Sequence, residues 1–175
     1  MQELAAWVQA CFLLLLGAVA VYDFVQRRVP NKLLGVGVFL AIMLLLVKRP
    51  DGAAWLVAIS GLAVGLFAFL PFYFMGLMGA GDVKFFAVIG LWLGVSALLP
   101  VWVVASVMAG LQAFLWLALS VGLRGMGAQH RFSFQIKALR LNEIPYASYL
   151  SISAGWVAYY PELFKKLYIG LAYVQ

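Results

Sequence analysis

From Gly52 to Gly81, and again from Phe85 to Leu123, no side chain carries a charge and most are apolar. A water-soluble domain cannot hide two such stretches, because its helices and strands need a polar face for solvent. The rest of the chain does not compensate. Of 175 residues, 66% are hydrophobic and 10% charged, against roughly half and a quarter in an ordinary soluble domain. The bilayer is the expected solvent, and at about 20 residues per spanning helix the length suits six or seven spans with short loops. An all-α, polytopic membrane protein is predicted, with residues 1–175 forming a single transmembrane domain. One cysteine, Cys11, and one histidine, His130, exclude an internal disulfide and argue against a zinc, iron–sulfur or other transition-metal site. No metal and no cofactor is expected.

Charged residues come in small, well-spaced groups, and dividing the apolar runs at them gives six segments. They run from Ala5 to Tyr22, Leu33 to Val47, Ala53 to Met75, Val83 to Leu99, Val101 to Leu123 and Ile144 to Tyr160. The second is short and should recruit flanking residues, and the fourth and fifth are parted only by Pro100 and a tight turn. Cytoplasmic loops retain Lys and Arg. Eight of the twelve (Arg27, Arg28, Lys32, Lys84, Arg124, Arg131, Lys137 and Arg140) fall in or beside the loops after segments one, three and five. Lys48, Arg49, Lys165 and Lys166 fall on the other side. Both termini are therefore expected outside, and the net charge of +6 reads as topology, aided by anionic lipid, with no nucleic-acid partner. The first segment should remain as a helix, since Glu3 precedes it and the positive residues follow, the reverse of a signal peptide. In the loop from Gly122 to Glu143, the stretch His130–Leu141 mixes Phe132 and Phe134 with Arg131, Lys137 and Arg140. It suits either the headgroup boundary or a substrate-docking surface. Leu163–Val174 suits a second interfacial helix, too short to span.

Six carboxylates can be sorted one by one. Glu3, Asp51 and Glu162 fall near the outer side, as solvated surface charges. Glu143, between Asn142 and Pro145, suits the amino-terminal cap of the sixth segment. Asp23 and Asp82 remain, at the inner end of segment one and the inner entrance of segment four. A carboxylate near hydrocarbon is costly and asks for a reason, which is either function or the plainer one of stop-transfer punctuation and a local ion pair. The surroundings of Asp82 favour function. Gly76, Gly79 and Gly81 precede it, and glycines permit φ > 0 and close approach of an extended peptide, close helix packing being the competing explanation. Lys84, two positions on, does not share a helical face with Asp82, so it should snorkel toward the headgroups and not pair with it.

Three separated motifs resemble those of the type IV prepilin peptidases, membrane aspartyl proteases of the GxGD class. Asp23-Phe24-Val25-Gln26-Arg27-Arg28-Val29-Pro30-Asn31 is similar to the family's Asp, Arg and Ile-Pro-Asn motif. Gly79-Ala80-Gly81-Asp82-Val83-Lys84 resembles GxGDxK, continued by Ala87, Gly90 and Gly94. Ile144-Pro145-Tyr146, with Gly155 farther along, is similar to the opening of the family's last span. Val29 replaces the usual Ile, and Ala147 stands where many members have Gly. The loop that carries a four-cysteine domain in long members is here only Phe24–Lys32 and holds no Cys. This resembles the short form that serves Flp or tight-adherence pili, in which the methylation associated with that domain is not expected.

The resemblance implies an endopeptidase of the bacterial inner membrane that removes a short basic leader from prepilin-like proteins at the cytoplasmic face. Asp23 and Asp82 would be catalytic. Gly79, Gly81, Lys84, Arg28, Pro30 and Asn31 would shape the site or meet substrate. Two neighbouring carboxylates cannot both ionise cheaply, so one serves as base toward water and the other as acid toward the scissile carbonyl. Sequence leaves open which is which, as it leaves open the oligomeric state and the pilin partner. No Gly stands two positions before Ser60, and His130 is distant, so a serine-type site is not expected. Presenilin-like proteases share GxGD and a Tyr-Asp resembling Tyr22-Asp23, but this chain has no Pro-Ala-Leu motif. The alternatives from other classes are a small ion or proton transporter or channel subunit with an intramembrane carboxylate pair, and a noncatalytic assembly scaffold.

Overall fold

The computed structural model of the chain describes residues 2–48, 52–124 and 145–160. Within them the structure is all-helical, with six helices and no strand: α1 (Gln2–Gln26), α2 (Asn31–Lys48), α3 (Gly52–Phe74), α4 (Ala80–Leu93), α5 (Val95–Arg124) and α6 (Tyr146–Tyr159). The Gly122–Glu143 loop beyond Arg124, the Leu163–Val174 tail, Asp51, Asn142, Glu143 and Glu162 lie outside the described residues. Each apolar segment read from the sequence corresponds to a helix. The short second one does recruit neighbours, starting at Asn31 and ending at Lys48.

Two stretches, Ala54–Phe74 and Val95–Leu119, are long and apolar enough to cross a membrane, and Ala10–Gln26 and Asn31–Leu46 are shorter apolar ones. Large apolar side chains stand exposed around the bundle, among them Leu14, Val21, Phe39, Leu56, Phe67, Phe114 and Leu119. Such a surface suits lipid, since water tolerates only small apolar patches.

One boundary differs from the sequence reading. The fourth and fifth segments part at Gly94, not at Pro100, which lies inside α5. Gly94 adopts φ 79° and its N–H returns to the Gly90 carbonyl at 2.8 Å. A left-handed residue without Cβ ends a helix more completely than a proline, which deletes one hydrogen bond and kinks.

The core is organised around α4, whose residues Val83, Phe85, Phe86, Ala87, Val88, Ile89, Gly90 and Leu91 are all buried. A helix apolar on every face belongs in the middle, and α4 packs against α2, α3, α5 and α6. Its tightest partner is α3. A Cβ on Gly61 would stand 2.0 Å from the Gly90 carbonyl oxygen, and one on Gly90 would stand 2.1 Å from that of Gly61. The two backbones therefore touch, in the small-residue manner of membrane helices. Toward the other end of the seam Phe69 stacks on Phe86, with ring centroids 4.0 Å apart. Trp92 joins two further helices, stacking on Phe12 of α1 and donating its indole N–H to the Gly37 carbonyl of α2 at 3.1 Å. Polar ties hold α5 to α6: Ser106 Oγ lies 3.2 Å from Tyr146 Oη, and Tyr149 Oη donates to Gln112 Oε1. This packing brings the carboxy-terminal end of α1 and the amino-terminal ends of α4 and α6 together.

Candidate active site

Asp23 lies in the last turn of α1 and is only 5% exposed. The helix ends three residues later. Arg27 takes φ 54°, and its N–H returns to the Asp23 carbonyl at 2.8 Å. This left-handed position usually falls to glycine. The chain then turns through Val29, and the Pro30 carbonyl accepts the first bonds of α2 from Leu33 and Leu34. Pro30 thus starts the next helix as well as ending the turn.

Asp82 enters from the opposite direction, in the first turn of α4. Gly79 is the capping residue, with φ −72° and ψ 144°, and its carbonyl accepts from the N–H groups of Asp82 and Val83 at 3.1 and 3.3 Å. The positive φ anticipated in the Gly-Ala-Gly-Asp turn falls instead on Gly76, at 70°, where the chain leaves α3. Helices are commonly left through a residue with positive φ, whereas entering one needs only an extended cap. Gly81 serves a packing role: a Cβ there would lie 3.2 Å from the Val29 Cβ. Its bareness seats α4 against the turn that follows Asp23.

Both carboxylates line one cavity of about 410 Å³, together with Arg28, Asn31, Gly79, Gly81 and Lys84. Of the eight residues to which the resemblance gives a role at the site, only Pro30 is missing from its wall. Lys84 Nζ donates to Asn31 Oδ1 at 3.2 Å. This ammonium, expected to snorkel toward the headgroups, reaches across to α2 instead. One bond thereby joins the first motif to the second. Asp82 stands one residue before the apolar run that begins at Val83. Its pKa is pushed up to about 6, by burial first and by the charge of Asp23 second, against a backbone hydrogen bond at Gly79. The two acids are therefore close enough to sense each other's charge.

Three residues on this wall or behind it were not legible as site residues. Arg27 lines the cavity, with its guanidinium carbon 5.5 Å from the Phe24 ring centroid and Nη1 buried without a hydrogen-bond partner. Tyr146, noted in the sequence only as part of the third motif, also lines it. Ser148 lies behind Asp23, donating to its Oδ2 from the backbone N–H at 2.9 Å and from Oγ at 3.1 Å. No motif points to Ser148. Its signal is positional, since it falls in the first turn of a helix, where its N–H has only the Pro145 carbonyl to return to, at 3.1 Å, and shares its hydrogen with Asp23. The expected cap of this helix was Asn142 with Glu143. Asn142 and Glu143 lie outside the described residues; the capping position is Pro145, without a side-chain hydrogen bond of its own, and Asp23, from the other end of the sequence, meets the first turn.

The sequence model of the type IV leader peptidase family matches residues 10–114. The chain belongs to this family. The matched region spans α1 to most of α5 and so includes Asp23 and Asp82, whereas α6 lies beyond it. No curated protein and no solved structure matches the chain. For a type IV leader peptidase family member the arrangement has a direct chemical meaning. Two carboxyl groups at one cavity, one carrying a raised pKa, can give and take protons in the same reaction.

Proposed function

We propose that this protein is an aspartyl endopeptidase of the bacterial inner membrane, with residues 1–175 forming a single domain of six spans. It removes the short basic leader of type IV prepilin-like proteins at the cytoplasmic face. The observation that carries this reading is that Asp23 and Asp82, from separate helices, line one cavity and interact electrostatically, in a chain of the type IV leader peptidase family. The ionised acid takes a proton from water, which attacks the carbonyl of the Gly before the scissile bond. The protonated acid polarises that carbonyl, and the departing amine receives a proton. No covalent intermediate forms. Gly79 and Gly81 set the approach of α4, Arg28 stands on the cavity wall, and the turn at Pro30 with the Lys84–Asn31 bond holds the two halves of the site in register.

The test is cleavage of a prepilin-like peptide, with Gly at the cleavage point, by the purified protein in detergent micelles. Wild type cleaves, and Asp23→Asn and Asp82→Asn each lose cleavage while inserting normally into the membrane. Full activity in either variant sinks the reading. Ion flux through proteoliposomes without cleavage would instead assign the carboxylates to transport.

A further inference from the structure

Ser148 and Asp23 are each 5% exposed, so the bonds between them are shielded from water. The Ser148 backbone N–H, shared between Asp23 Oδ2 at 2.9 Å and the Pro145 carbonyl oxygen at 3.1 Å, can only donate, which makes that carboxylate oxygen an acceptor. The Ser148 hydroxyl has one hydrogen and two acceptors within reach, Asp23 Oδ2 at 3.1 Å and the Ala20 carbonyl oxygen at 3.0 Å. When Asp23 is ionised, the bond to its carboxylate is charge-assisted and the stronger of the two. When Asp23 has taken a proton that advantage disappears, and the Ala20 carbonyl, fixed in α1, receives the hydrogen. Resting on the two-aspartate reading above, we infer that Ser148 is a positioning residue that keeps Asp23 as the proton-accepting member of the pair and turns its hydroxyl between Asp23 and Ala20 as the proton arrives and leaves.

Asp82 has a different setting, with the backbone at Gly79 as its hydrogen-bond partner. The division of labour is then complete. Asp23 takes one proton of water as the water oxygen bonds to the carbonyl carbon, and the Asp82 proton passes to the carbonyl oxygen, giving a tetrahedral diol. The carbon–nitrogen bond breaks, the amine takes the proton held by Asp23, and one diol proton returns to Asp82. The products are a carboxylic acid and an amine, and both aspartates regain their starting states.

The experiment compares kcat and KM of the full chain in micelles, on a peptide with Gly before the scissile bond, for wild type and four variants. Ser148→Ala lowers kcat about tenfold, as expected for losing one hydrogen bond to a charged group, with KM unchanged. Ser148→Thr, which keeps the hydroxyl, restores most of kcat. Ser148→Cys, a weak donor of similar shape, falls between them. If Ser148→Ala does not fold, the order of threonine above cysteine decides. Equal kcat across the series, or a threonine variant as impaired as the alanine or cysteine one, overturns the role of Ser148 and leaves the aspartate pair standing. Cleavage by Asp82→Asn, the fourth variant, overturns the underlying reading instead.

Discussion

At the scale of single residues, the two acids differ in what surrounds them, and the difference is measurable. Asp82 has a pKa pushed up to about 6, and the Asp23 charge is one of its causes. Asp23→Asn removes that charge, so the Asp82 pKa moves down toward its ordinary 3.8, as followed by NMR titration of carboxyl-labelled aspartate. An acid that must begin protonated works below its pKa. In the wild type, kcat/KM therefore falls as pH rises through about 6, read from a pH–rate profile. The bond between Lys84 and Asn31 predicts coupling: Lys84→Met and Asn31→Ala each reduce activity several-fold, and the double variant is no worse than the poorer single one, because both remove one contact. Asp23, Asp82 and Lys84 are legible in the sequence because scarce charges in an apolar chain advertise themselves, and Asn31 only through the motif it completes. Ser148 was not, because a serine in a helix is commonplace and its significance depends on Asp23 reaching it from α1.

At the scale of helices, glycine has two distinct uses that composition cannot separate. Gly61 and Gly90 are bare because another backbone occupies the space. Gly90→Ala drives a Cβ into a carbonyl that cannot yield, and costs about 3 kcal/mol or more, as overpacking of a rigid seam does at its upper end. Gly76, with φ 70° and open space around it, is bare for its backbone conformation alone. Gly76→Ala costs about 1–2 kcal/mol, and activity per folded molecule is unchanged. Thermal or denaturant unfolding in micelles, paired with cleavage, distinguishes the two effects. Hydropathy located all six helices because each apolar run is bounded by charge or proline, but it misplaced the junction before α5. Pro100 is the more conspicuous breaker in the sequence, while Gly94 carries the reversal of the chain.

At the scale of the whole molecule, the site is assembled from ends. The carboxy-terminal turn of α1 and the first turns of α4 and α6 converge on one cavity, and the middles of the helices supply the packing that fixes them. The excess of Lys and Arg beside these same ends predicts that they face the cytoplasm. With Cys11 replaced by serine, a cysteine at position 32 is labelled by an impermeant thiol reagent from the cytoplasmic side and one at position 48 from the other. Labelling of both from one side would refute the orientation. The hydrogen bond from Ser148 to Asp23 links residues 125 positions apart, and this separation sets a schedule for the ribosome. Asp23 and Asp82 are synthesised long before the donor that orients the first of them, so a nascent chain arrested after Arg124 holds both acids and still cleaves poorly. On the proposed mechanism, full proteolytic activity waits for α6 to insert, and chain order itself sets that delay.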